Sequence, residues 1–121
     1  MRVLLADYHA EVRSALRLLL EQEPDILVVA EAAQAAGLVT RVREERVDLI
    51  LLDWELPGLD GVDLLHALHK KCPKPRVIAL SGRPEARRAS LRAGADAFVS
   101  KGDPPERLLA ALRAVRDSPV C

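Results

Sequence analysis

Five short apolar runs recur along the chain: RVLLA at 2–6, ILVVA at 26–30, LILL at 49–52, RVIAL at 76–80 and AFV at 97–99. All are too short for helices and none alternates strictly with polar residues, which suits strands buried on both faces of a parallel sheet. Between the runs the spacing turns helical. Val12, Ala15, Leu16 and Leu19 fall at i, i+3, i+4 and i+7, as do Ala35, Leu38, Val39 and Val42. The pattern returns at Gly61, Leu64, Leu65 and Leu68, at Ala86, Ala89, Ser90 and Ala93, and at Leu108, Ala111, Leu112 and Val115. Each of these stripes can lie on a sheet. Pro24, the pair Pro57 and Gly58, Pro73 with Pro75, Gly94, and Pro104 with Pro105 stand between runs or at helix starts, where breakers belong. The sum is a (βα)5 chain with no internal linker, repeat or low-complexity tract.

Such alternation implies right-handed crossovers and an α/β doubly wound five-stranded parallel sheet with helices on both faces. In these sheets the site lies outside the carboxyl ends of the strands. The residues at those ends are Asp7, Asp53, Ser81 and Lys101. No glycine-rich phosphate loop follows the first strand, which argues against a dinucleotide or nucleotide binder. Two carboxylates close together suit a hard cation with oxygen ligands, Mg²⁺ first. With a lysine and a hydroxyl beside them, they form a set that stabilises charge on a transferred phosphoryl group, one carboxylate being the nucleophile. Asp53, at the end of the most apolar strand, is the better nucleophile.

Composition narrows the picture. A length of 121 residues predicts a single domain over 1–121, with 115–121 opening a linker. Eighteen basic and eighteen acidic residues cancel, so no bulk charge draws the chain to nucleic acid or to an anionic membrane. Only Tyr8, Trp54 and Phe98 are aromatic, leaving Leu, Val, Ile and Ala to build the core. No apolar run approaches the roughly 18 to 20 residues of a membrane span, and the chain reads as cytoplasmic. Cys72 and Cys121 fit neither a redox pair nor a zinc pattern and read as incidental thiols.

Three stretches carry a family resemblance. DLILLDWELPGLDG at 48–61 resembles the phosphoacceptor segment of two-component response-regulator receiver domains; VIALSG at 77–82 and AGADAFVSK at 93–101 resemble their fourth and fifth strands. RVLLADYH at 2–9 and the loop wording are closest to receivers of NarL/LuxR-like transcription regulators. The likeness covers the whole chain. It implies a flavodoxin-like fold with strand order 2-1-3-4-5, Asp53 as acceptor of a phosphoryl group from a histidine kinase, and Lys101 paired with a phosphoryl oxygen. It implies further that Ser81 bonds another oxygen as its loop closes, and that Phe98 turns inward with it, switching the surface of the fourth helix, fifth strand and fifth helix. The expected role is a signalling switch, not a metabolic enzyme. Receivers of this branch commonly continue into a DNA-binding domain, expected here outside the chain.

The pattern breaks at Tyr8. The family usually has a second acid there as a direct metal ligand, and a phenol with a pKa near 10 is a poor ligand for Mg²⁺. Metal binding through Asp7 and Asp53 is expected to be weak. Glu55 is the candidate compensation, through its carbonyl or its side chain, and Arg83 is a second, paired with Glu55 or with a phosphoryl group. The alternative function is a phosphorylation-independent dimerisation or partner-binding module. Arg87, Arg88, Leu91 and Arg92, on the exposed side of the fourth helix by its period, form the candidate interface for a kinase, an output domain or a second protomer. His9 opens the first helix near the pocket, and His66 and His69 read as surface residues.

Overall fold

The computed structural model describes residues 1–117. Its elements alternate without exception: β1 (Arg2–Ala6), α1 (Ala10–Glu21), β2 (Leu27–Ala32), α2 (Ala35–Glu44), β3 (Leu49–Asp53), α3 (Gly61–Leu68), β4 (Arg76–Ser81), α4 (Ala86–Ala93), β5 (Ala97–Ser100) and α5 (Pro105–Arg116). All neighbouring strands pair in parallel, in the order β2-β1-β3-β4-β5. This is the expected doubly wound sheet. β3 is central and every one of its residues is buried, because it has a strand on each side and helices on each face.

Side chains that alternate along each strand divide into two cores. On one face Leu4, Ile50, Leu52 and Ala79 pack with Leu38 of α2 and with Leu65 and Leu68 of α3. On the other, Leu5, Leu51, Ile78 and Val99 pack with Leu20 of α1 and with Leu108 and Leu112 of α5. Burying one such aliphatic side chain contributes about 1.5–3 kcal/mol. The two faces together hold the strand ends in a fixed row.

Local signals place the helix ends. The Asp60 carboxylate accepts the Asp63 N–H at 3.0 Å and caps α3, a bond worth about 1 kcal/mol. α4 ends at Gly94, whose φ of 112° is left-handed. α5 opens on Pro105 in its first turn, where no N–H is needed.

Some expectations shift. β2 runs from Leu27 to Ala32 and so takes in Glu31. Ala15 and Ala89 are exposed, while Leu20, outside the predicted stripe, is fully buried. α1 and α5 do not close on each other: a groove of about 400 Å³ lies between them, lined by Val12, Leu16, Leu19, Val99 and Leu108. Val115 and Arg116 continue α5, with Val115 buried, so the linker expected from 115 does not begin there. Its remaining part, 118–121, lies outside the described residues, as does Cys121. Cys72, expected as an incidental thiol, is not a free one. No helix among the described residues is long and apolar enough to cross a membrane.

Candidate functional site at the carboxyl ends of the strands

β1 and β3 are neighbours in register, so the residues that follow them face one pocket. The Asp7 N–H donates to the Ala32 carbonyl at 3.0 Å, which extends the ladder by one residue and fixes the Asp7 Cα. Its side chain is 1% exposed, and that of Asp53 is similarly buried. Each carboxylate accepts an N–H two residues onward: Asp7 Oδ1 from His9 and Asp53 Oδ1 from Glu55, both at 2.9 Å. These Asx-type turns fix the rotamers and leave the second oxygen of each acid for the pocket.

Lys101 meets both of those oxygens. Its Nζ lies 2.7 Å from Asp7 Oδ2 and 3.4 Å from Asp53 Oδ2. Its backbone N–H donates to the Ser81 carbonyl at 2.9 Å, so the β4–β5 pairing delivers the ammonium. Burial would push the lysine pKa down, but the hydrogen bond with Asp7 and the charge of Asp53 outweigh it, and the pKa lies above its ordinary value. Two buried carboxylates and one ammonium leave a net negative pocket, an arrangement that attracts a further cation.

Ser81, fully buried at the end of β4, donates from Oγ to Glu55 Oε1 at 2.7 Å and accepts the Arg83 N–H at 2.9 Å. Glu55 therefore does reach the pocket, but its carboxylate is engaged with the hydroxyl. Arg83 pairs with Glu85 at 2.9 Å, which corrects the expected pairing with Glu55: two residues apart in one loop, the two ions meet without crossing the pocket.

Tyr8 turns outward, 60% exposed, its ring edge-on to His9 with centroids 5.4 Å apart. No phenol fills the space of the absent acid. His9 instead brings Nδ1 to 3.4 Å from Asp7 Oδ1, closer to the chemistry than sequence spacing suggested. Phe98 is half-buried and packs against the α2–α3 core face. Arg87, Arg88 and Arg92 are exposed on α4, with Leu91 at 39% exposure among them. His66 and His69 are exposed, and His69 Nε2 lies 3.3 Å from the Gly94 carbonyl, joining α3 to α4.

Sequence reasoning missed one positioning residue. Arg13 of α1 donates from Nη1 to the carbonyls of Asp7 and Tyr8 at 2.7 and 3.2 Å and from Nε to Glu31 at 2.8 Å. Arg17 donates to the same carboxylate at 2.6 Å. Its hydrogen bond is the main reason the Glu31 pKa lies below the usual carboxylate value, with burial opposing and Arg13 assisting. The signal was present: Glu31 is the single charged residue in an otherwise apolar strand.

For Mg²⁺ the donor set is adequate but small. Asp7 and Asp53 offer hard oxygens, and this ion takes few protein ligands and keeps several waters. No larger His, Cys, Asp and Glu cluster gathers among the described residues. The Glu55 side chain, turned to Ser81, does not complete the set.

Comparison with known proteins agrees with this fold. The model of the family described as "Response regulator receiver domain" matches residues 3–113. The nitrate/nitrite response regulator protein NarP of Escherichia coli K12 is 36% identical over 115 residues, which cover 93% of this chain and 54% of that protein. The chain thus spans about half the length of the curated relatives it matches. A LuxR-family two-component response regulator from Aurantimonas sp. SI85-9A1 superposes with a TM-score of 0.84 at 31% identity, covering 94% of this chain and 83% of that one. RcsB from Salmonella enterica serovar Typhimurium, solved on promoter rprA in the presence of phosphomimetic BeF3-, gives a TM-score of 0.86 at 26% identity over 99% of this chain and 62% of that one.

Proposed function

The chain belongs to the response-regulator receiver domains of NarL/LuxR type, and from that premise we propose that it accepts a phosphoryl group from a histidine kinase on Asp53. Lys101, held between Asp7 and Asp53 at 2.7 and 3.4 Å, is the observation that carries this reading. An Asp53 oxygen attacks phosphorus as the P–N bond of the donor phosphohistidine breaks, and the bond's electron pair returns to the imidazole. Lys101 gives up part of its contact with the acids to meet a phosphoryl oxygen, a charge-assisted bond that strengthens as negative charge gathers there. Ser81 Oγ supplies a second donor. Receiver domains in general bind Mg²⁺ at this site; Asp7, Asp53 and the Glu55 carbonyl would hold it here, and it supplies positive charge against the phosphoryl oxygens. With Tyr8 outside the pocket, its affinity is low.

The domain is a switch and not a metabolic enzyme. Its active conformation becomes more populated because that state binds the phosphoryl group better. Phe98 and the α4–β5–α5 surface, with Arg87, Arg88, Leu91 and Arg92, carry the change to a second protomer or to a DNA-binding output domain in the cytoplasm. The RcsB structure on a promoter supports a transcriptional output. Intact mass after incubation with acetyl phosphate and Mg²⁺ tests the assignment. The wild type gains about 80 Da, one phosphoryl group, and Asp53→Asn gains nothing. A gain that survives Asp53→Asn removes Asp53 from the role.

The exposed Tyr8 favours a second reading, a partner-binding module indifferent to phosphate. Mg²⁺ titration followed by Trp54 fluorescence separates them, since Trp54 adjoins Asp53. A flat titration together with no mass gain selects the module.

A further inference from the structure

A serine hydroxyl has one proton to donate, and Ser81 gives it to Glu55. The bond is short, 2.7 Å from Oγ to Oε1, and its acceptor is a carboxylate, which makes it stronger than a neutral pair. Glu55 is also tied at its main chain, its N–H donating to Asp53 Oδ1 at 2.9 Å. On the other side, Ser81 Oγ accepts the Arg83 N–H at 2.9 Å. A continuous chain of hydrogen bonds therefore runs from the acceptor aspartate through Glu55 and Ser81 to the backbone of the loop entering α4. Ser81 is fully buried in this arrangement, and its hydroxyl, which accepts the loop's Arg83 N–H, is held by an anionic oxygen that belongs to the protein.

We propose that Glu55 is a positioning residue that acts as an internal stand-in for the phosphoryl oxygen. It holds Ser81 and the β4–α4 loop drawn in before phosphorylation, and a phosphoryl group on Asp53 must displace it to claim the same hydroxyl proton. This rests on Asp53 being the acceptor. One anionic acceptor is exchanged for another, so the loop position differs little between the two states. At this loop, phosphorylation registers mainly in where the Glu55 carboxylate goes, and that displacement is what Phe98 and the α4–β5–α5 surface relay. Arg83, ion-paired to Glu85 instead of Glu55, leaves that carboxylate free to swing out into solvent.

Amide hydrogen exchange at Arg83 in the unmodified protein reads the latch directly. Glu55→Ala and Ser81→Ala each accelerate this exchange about tenfold, the factor that one hydrogen bond of ordinary net strength gives. The double variant exchanges no faster than either single one. Glu55→Gln retains a carbonyl oxygen as acceptor and stays within about threefold of wild type. Adding beryllofluoride with Mg²⁺ restores protection in Glu55→Ala and changes the wild type little. Unchanged exchange in Glu55→Ala, additive effects in the double variant, no rescue by Gln, or no restoration by beryllofluoride in a protein that takes up acetyl phosphate would each overturn the proposal. Failure of wild type to gain a phosphoryl group in the mass experiment counts against Asp53 as acceptor, whereas normal exchange in Glu55→Ala with a normal mass gain counts against the latch alone.

Discussion

Gly61 begins α3 beneath the indole of Trp54, and a Cβ built there would stand 2.3 Å from the ring. The indole belongs to the residue just after Asp53, the proposed acceptor, and occupies the space a side chain at Gly61 would take. Gly61→Ala forces the ring aside, costing about 1–3 kcal/mol as overpacking does. Urea denaturation reads the loss, and a shifted Trp54 emission in the folded protein shows that the indole has moved. Tyr8 makes the complementary point. Its backbone carbonyl accepts from Arg13 while its ring lies in solvent, so the position contributes a main-chain acceptor where the family usually has an acid. The identity of a pocket residue was legible in the sequence, but the direction its side chain takes was not.

α1 shows what periodicity resolves in an element and where it stops. Leu16, Leu18, Leu19 and Leu20 crowd one helical segment, and several stripes fit them. The structure buries Leu20 completely, in the core with Val3, Leu5 and Leu112, and leaves Leu18 66% exposed, while Val12, Leu16 and Leu19 line the groove. Leu20→Ala costs about 2–5 kcal/mol, as buried leucines do. Leu18→Ala stays within about 0.5 kcal/mol. Chemical denaturation of the pair checks this, and equal losses would mean that α1 sits in another rotation. α4 differs because its sequence was less ambiguous. Small residues line one side and arginines the other, and Ala86 and Ser90 are buried as the stripe requires; Ala89, at its margin, is not.

For the molecule as a whole, pH acts on two clamps with opposite signs. Glu31 has a lower pKa folded than its ordinary 4.5, so the unfolded chain binds more protons in that range and stability falls as the solution is acidified. The Arg13–Arg17–Glu31 contribution is complete above pH 4.5 and is lost as pH drops through the lowered value. Lys101 has a pKa above its ordinary 10.5; its contribution is complete below that value and is lost as pH rises through the raised one. Thermal unfolding from neutral into acid solution should fall less steeply for Glu31→Gln than for wild type. Parallel curves would remove Glu31 from the account.

The sequence by itself determined the alternation of strands and helices, and with it the set of strand-end residues, Asp7, Asp53, Ser81 and Lys101. Hydrophobic period is a local property, and a doubly wound sheet brings its carboxyl ends together whatever the loops contain. Strand order was legible only through family resemblance, since no local signal states which strand lies beside which. The tertiary structure alone decided the partners: Glu55 with Ser81, Arg83 with Glu85, His9 beside Asp7, and Arg13 on the Asp7 and Tyr8 carbonyls. Side chains with several rotatable bonds reach many groups from one backbone position. Which they meet depends on ångström distances between loops of different strands, set by how two cores pack on one sheet.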